Sequence, residues 1–113
     1  MEAIKLQNVV SEMVPPNTTT EVGYRLTVDA TAGGVQLTSG NIGTTGKYVM
    51  LQVQGAPVYV TYDNTTPSAT NGVYVDTYEK TVVQRAVALR MKWLRATGAD
   101  GYVMAQPFNS LAA

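Results

Sequence analysis

A chain of 113 residues with eight acidic and eight basic side chains, no histidine and no cysteine has room for one domain. It lacks the groups that make thiol nucleophiles, disulfides, structural zinc sites or Ser-His relays. Its 14% charged and 45% hydrophobic content is that of a globular chain, without the basic excess of a nucleic-acid binder or the polarity of a disordered segment.

The N-terminal MEAIKLQNVVSE is interrupted by Glu2, Lys5 and Glu12 and offers no long apolar run, so it reads as neither a secretory signal nor a membrane span. Residues 1–20, broken at Pro15 and Pro16, read as an extended arm or edge strand; residues 21–113 read as the single domain. EVGYRLTVDA alternates strictly, with Val22, Tyr24, Leu26 and Val28 on one face, the pattern of a half-buried strand. TAGG is a turn signal, and Val35 and Leu37 repeat the alternation beyond it.

GNIGTTG reads as a second loop. In KYVMLQVQ the apolar face is Val49, Leu51 and Val53, and in APVYVTYD it is Val58, Val60 and Tyr62. The Gly55-Ala56 pair followed by Pro57 predicts a tight antiparallel connection between those two strands. VYVD at 73–76 and DGYVMAQPF at 100–108 are further short strands.

The segment 79–96 carries both periods. Val82, Ala86, Leu89 and Trp93 share a helical face, whereas Met91 and Trp93 alternate with Arg90 and Lys92 as in a strand. The expectation is a short helical turn within 79–88, then a strand over 89–96 ending in a hairpin-like turn. Together the elements predict an all-β antiparallel sandwich, jelly-roll-like or Ig-like, of about eight short strands.

TYDNTTPSATNG (residues 61–72) is the most polar connection. Asp63, Asn64 and Thr65 supply oxygens, but not the alternating acids closed by a glutamate that calcium loops use. The residues fit a shaped turn: Asp63 caps backbone amides, Pro67 fixes one φ, and Asn71-Gly72 supplies left-handed conformations. Asn17 and Asn64 each begin an Asn-X-Thr triplet, which would matter only in a secreted chain.

Seven tyrosines stand against one phenylalanine and one tryptophan, and a ring with a polar tip suits interfaces. Tyr48, Tyr59 and Tyr74 are out of phase with the apolar faces of their strands and are the candidate contact residues. Arg85, Arg90, Lys92 and Arg95 cluster, a group that would suit an acidic protein surface or a phosphate backbone, and Arg90 and Lys92 are the candidate interface residues among them; such charges also guard a strand edge against pairing. Any catalysis would rest on the carboxylates or on a lysine or tyrosine, and paired carboxylates, such as Asp63 with Asp76, are the hydrolytic arrangement to test.

APVYVTYDNTTPSATNG followed by MKWLRATGADGYVMAQPF resembles a pattern of small β-sandwich structural proteins of tailed bacteriophages. In it an aromatic-Asp pair (Tyr62, Asp63) leads into a turn with Thr65, Pro67 and Gly72, and a later strand carries Arg95, Ala96, Gly98, Asp100 and Gly101 before the last strand. The resemblance covers roughly the second half of the chain. It implies a capsid decoration or cement protein, or a head-fibre or tail-associated module, with no enzyme activity and no cofactor. The implied partner is the major capsid protein or another virion protein, with a homotrimer or other homo-oligomer, no nucleic acid and no membrane. The implied location is the capsid surface of a virion made in bacterial cytoplasm. A carbohydrate- or receptor-binding module of a fibre or tail is the alternative.

Overall fold

The computed structural model describes residues 23–109; the arm expected at 1–20 lies outside the described residues. A period of two sends alternate side chains to opposite faces of a strand, and three strands follow it closely. In β1 (Tyr24–Val28) Leu26 and Val28 are buried while Arg25 and Thr27 are exposed. In β3 (Tyr48–Gln54) Val49, Leu51 and Val53 are buried, and in β8 (Gly101–Phe108) so are Val103, Ala105 and Pro107. The other elements are β2 (Val35–Gln36), α1 (Ser39–Ile42), β4 (Val58–Thr61), β5 (Val73–Val75), β6 (Lys80–Gln84), α2 (Arg85–Ala88) and β7 (Lys92–Arg95).

The eight strands form two antiparallel four-stranded sheets, ordered β1-β8-β3-β6 and β2-β7-β4-β5. The pairings β1–β8, β2–β7, β3–β6 and β4–β5 are the rungs of one long folded ribbon whose tip is the β4–β5 loop. Rolling that ribbon up adds β3–β8 and β4–β7. This is the jelly-roll form of the sandwich, and of the two expected forms it excludes the Ig-like one.

Leu37, Ile42, Leu51, Met91 and Trp93 are fully buried between the sheets together with a layer of valines. Each large apolar side chain so buried stabilises the fold by about 1.5–3 kcal/mol.

Rolling the ribbon corrects two expected connections. β3 and β4 do not pair; Gly55, at φ 81°, and Ala56 carry the chain from one sheet to the other. The link after β7 crosses in the same way, so β7 and β8 form no hairpin. A crossing link and a hairpin link use the same Gly-rich residues, which is why composition did not separate them.

Three element assignments also change. The expected helical turn within 79–88 is confined to Arg85–Ala88, because Lys80–Gln84 is held as a strand by its register with β3. The strand expected over 89–96 begins only at Lys92. The loop GNIGTTG contains part of α1, where the side chain of Asn41 accepts hydrogen bonds from the Thr38 amide and hydroxyl at 3.0 Å each. In addition, β4 ends at Thr61, so Tyr62 lies beyond the strand and is 42% exposed.

The β4–β5 loop is a shaped connection. The Thr65 amide and hydroxyl donate to Asp63 Oδ1 at 3.2 and 2.6 Å. The Asn71 amide donates to Ser68 Oγ at 3.3 Å, Asn71 Nδ2 to the Thr66 carbonyl at 2.9 Å, and the Gly72 amide to the Ser68 carbonyl at 2.8 Å. The left-handed residue is Asn64, at φ 68°, and neither Asn71 nor Gly72 has positive φ. Gly72 is required for room instead: a Cβ there would lie 2.7 Å from the Ser68 carbonyl and 2.9 Å from Tyr59 Cβ. Pro67 is buried and lies over Gly34, whose added Cβ would come within 3.0 Å of it.

Candidate functional site

Three of the five candidate contact residues meet on the outer face of the β2-β7-β4-β5 sheet. Tyr59 and Tyr74 are cross-strand partners in an edge-to-face pair, ring centroids 6.0 Å apart. Lys92 opposes Thr61 on the neighbouring strand of that face. Tyr48 is on the other sheet, where its ring stacks on Phe108 at 5.4 Å and helps to cover it. Arg90 is exposed, between α2 and β7, and joins neither group.

The basic cluster seen in the sequence does not form as a patch. Arg85 turns inward and donates to the carbonyls of Gly43, at 2.6 Å, and Gly46, so it fastens α2 to the loop before β3. Arg95 pairs with Asp100 at 2.9 Å across the link between β7 and β8.

The carboxylates are dispersed too. Asp63 follows β4 at the loop end of the hairpin and Asp76 follows β5 at the opposite end, so the fold does not bring them together. Among the described residues no three Asp or Glu side chains gather into a metal-binding set. Asp63 is held below the ordinary carboxylate value by the Thr65 hydroxyl and amide that bond it. That is the signature of a capped turn.

The outer face of the β1-β8-β3-β6 sheet has a different character. Its central strands present Tyr102, Met104 and Gln106 from β8, and Met50, Gln52 and Gln54 from β3, all half-buried. Charge is confined to the flanking strands, with Arg25 on β1 and Lys80 on β6. The Arg25 guanidinium lies 3.9 Å from the centroid of the Tyr102 ring, a cation–π contact that partly absorbs its charge.

A third feature was not anticipated from the sequence. The edge strands β5 and β6 are joined by the turn 76–79, and beneath them a crevice of about 230 Å³ opens between the sheets. Leu51, Val53, Val73, Val75 and Thr81 line it, with Tyr62, Glu79 and Lys80 around them. Trp93 also lines it; this side chain is 1% exposed, and its Nε1–H is buried without a hydrogen-bond partner. Leaving such a donor unpaired costs about 1–3 kcal/mol. Burial pushes the Tyr62 phenol above its ordinary value.

The turn 76–79 is itself strained. The Glu79 amide donates to the Asp76 carbonyl at 3.2 Å and the Tyr78 amide to the Val53 carbonyl at 2.6 Å. These bonds hold Tyr78 at φ 70°, a left-handed conformation that bulky residues rarely adopt. The sequence signals were a valine run in phase with the core but on a very short strand, and the chain's one tryptophan. Neither says that two strands from different sheets would leave a gap.

Comparison with known proteins finds no protein-family profile that matches the chain, no similar curated protein and no similar solved structure.

Proposed function

We propose that the protein is a non-enzymatic structural component of a virion, a capsid decoration or cement protein that binds and stabilises neighbouring major capsid subunits on the capsid surface. The observation that carries this reading is the outer face of the β1-β8-β3-β6 sheet, whose two central strands present tyrosine, methionine and glutamine and no charge. Interface centres are enriched in tyrosine and methionine and depleted of charge. Four strands about 4.8 Å apart and five to eight residues long give a face of roughly 400 Å², well below the roughly 800 Å² per partner of a standard interface. One face is therefore a weak adhesive, and the reading includes a homotrimer or other homo-oligomer in which repeated faces add avidity.

The test has two parts. Imaging of purified particles is expected to place copies on the shell, and particles lacking the protein are expected to lose resistance to heat and low ionic strength. The double variant Met50→Glu, Met104→Glu alters the face and not the core, so it is expected to fold and to fail to decorate. Absence of the protein from particles, or unchanged particle resistance without it, sinks the proposal.

The second reading is a carbohydrate- or receptor-binding module of a fibre or tail. It draws on the Tyr59–Tyr74 pair, whose rings lie on one face with Thr61 and Lys92 and could stack on and hydrogen-bond a sugar. A glycan array without hits removes it. Jelly rolls serve capsid and lectin domains alike, so the fold decides between the readings only by analogy.

A further inference from the structure

We infer that the crevice between β5 and β6 is a socket for one apolar side chain of a protein partner, whose extended main chain lies along the free edge of β6. The outer faces argued above play no part in this, and the socket stands whether or not the partner is a capsid subunit.

Size sets the class of occupant. About 230 Å³ is the space of roughly eight waters at about 30 Å³ each. It falls below the roughly 300–1,000 Å³ of free small-molecule sites and matches one anchor residue of the kind that dominates protein interfaces. The lining is mixed: Leu51, Val53, Val73 and Val75 give the anchor an apolar wall, and Tyr62, Glu79, Lys80 and Thr81 add polar groups for the main chain that carries it.

The edge sets the mode of binding. Among the described residues β6 pairs with β3 alone, so its other edge has main-chain groups open to a further strand. Lys80 guards one end of that edge, but Thr81, Val82, Val83 and Gln84 carry no charge. A strand added there points alternate side chains between the sheets, where Thr81 and Val83 are only half-buried and Val73 is 53% exposed.

The donor sets what the occupant carries. Trp93 lines the crevice, and its Nε1–H is shielded from solvent and has no hydrogen-bond partner, so an occupant that displaces the side chains over it and brings a main-chain carbonyl or a side-chain oxygen supplies the missing acceptor. Tyr62 lines the crevice and is partly solvent-exposed, so it can swing aside to admit the acceptor.

The test pans a random twelve-residue peptide library over the full-length protein. Enriched peptides are expected to alternate polar with apolar residues and to lose at least tenfold in affinity on Val73→Lys, an exposed position where the fold is retained; circular dichroism checks this. Trp93 is the only tryptophan, so the protein has one indole N–H resonance, and a bound peptide is expected to shift it as an acceptor arrives. The inference is overturned if no peptide is enriched, or if enriched peptides bind the Val73→Lys variant equally well. It is also overturned if they leave the indole resonance unmoved. A shift produced by glucose, galactose or N-acetylglucosamine but by no peptide would replace it with a sugar site.

Discussion

The two long seams of the sandwich are built from the same kind of strand and end differently. At the β1 side Leu26 and Val28 are buried, because β1 packs against both β2 and β7. The Arg95 amide also donates to the Asp29 carbonyl at 3.2 Å, which laces one sheet to the other. At the β5–β6 side Val73 points between the sheets with half its surface in solvent, and among the described residues only the turn 76–79 spans the gap. Alternation therefore tells which way a side chain points; closure of the edge by a neighbour decides whether it is buried.

The sharpest way to break this contrast is to truncate matched residues at the two seams. Leu26→Ala is expected to cost about 3 kcal/mol in urea unfolding, by lost burial and the cavity left behind. Val73→Ala should cost less than about 0.5 kcal/mol, as at other exposed sites; equal losses would mean that the β5–β6 seam is closed in solution. Gly101→Ala comes next, at about 2 kcal/mol, because its Cβ would lie 2.5 Å from the Ala56 carbonyl, where the chain crosses between the sheets.

A smaller effect of opposite sign is expected at the open seam. Tyr78→Asn should raise stability by up to about 1 kcal/mol, since asparagine accepts the left-handed conformation that tyrosine resists and the lost ring is 71% exposed. An unchanged or lower midpoint would show that the Tyr78 ring contributes to the turn.

The smallest effect is on acid stability. Asp29, near the closed seam, and Asp63, in the tip loop, are each held below the ordinary value of 3.8 by bonds from Thr31 and Thr65. A depressed folded value means that the stabilisation is complete above the unfolded value and is lost as pH falls from about 3.8 through the folded one. Asp63→Asn should flatten that acid limb slightly. Carboxyl NMR titration of Thr65→Ala should show the Asp63 value returning towards 3.8.

The strands were legible wherever one face is buried and the other wet, as in β1 and β3, since there the period of two is enforced by water. The β6 strand was not, because Val82 and Val83 are both apolar and the choice of strand over helix is made by β3, some thirty residues earlier in the chain. Tyr59 and Tyr74 were legible as outward residues, and their pairing follows from register alone. The crevice was not, because it is lined from four strands that are brought together only when the ribbon rolls up.

The tip loop has a further consequence, for the order of folding. Among the described residues every consecutive pair of strands crosses between sheets except β4 and β5, so 61–72 closes the only local hairpin there, a step of about 1–10 μs in isolation. Each later rung spans more chain, until residues 24–28 meet residues 101–105, and such distant pairings belong to folds that form over milliseconds to seconds. The capped turn at Asp63 is then a starting point as well as a connection. Substitutions in β4 and β5 should slow folding, whereas those in β1 and β8 should mainly speed unfolding, and stopped-flow measurements showing the reverse would place the first contacts elsewhere.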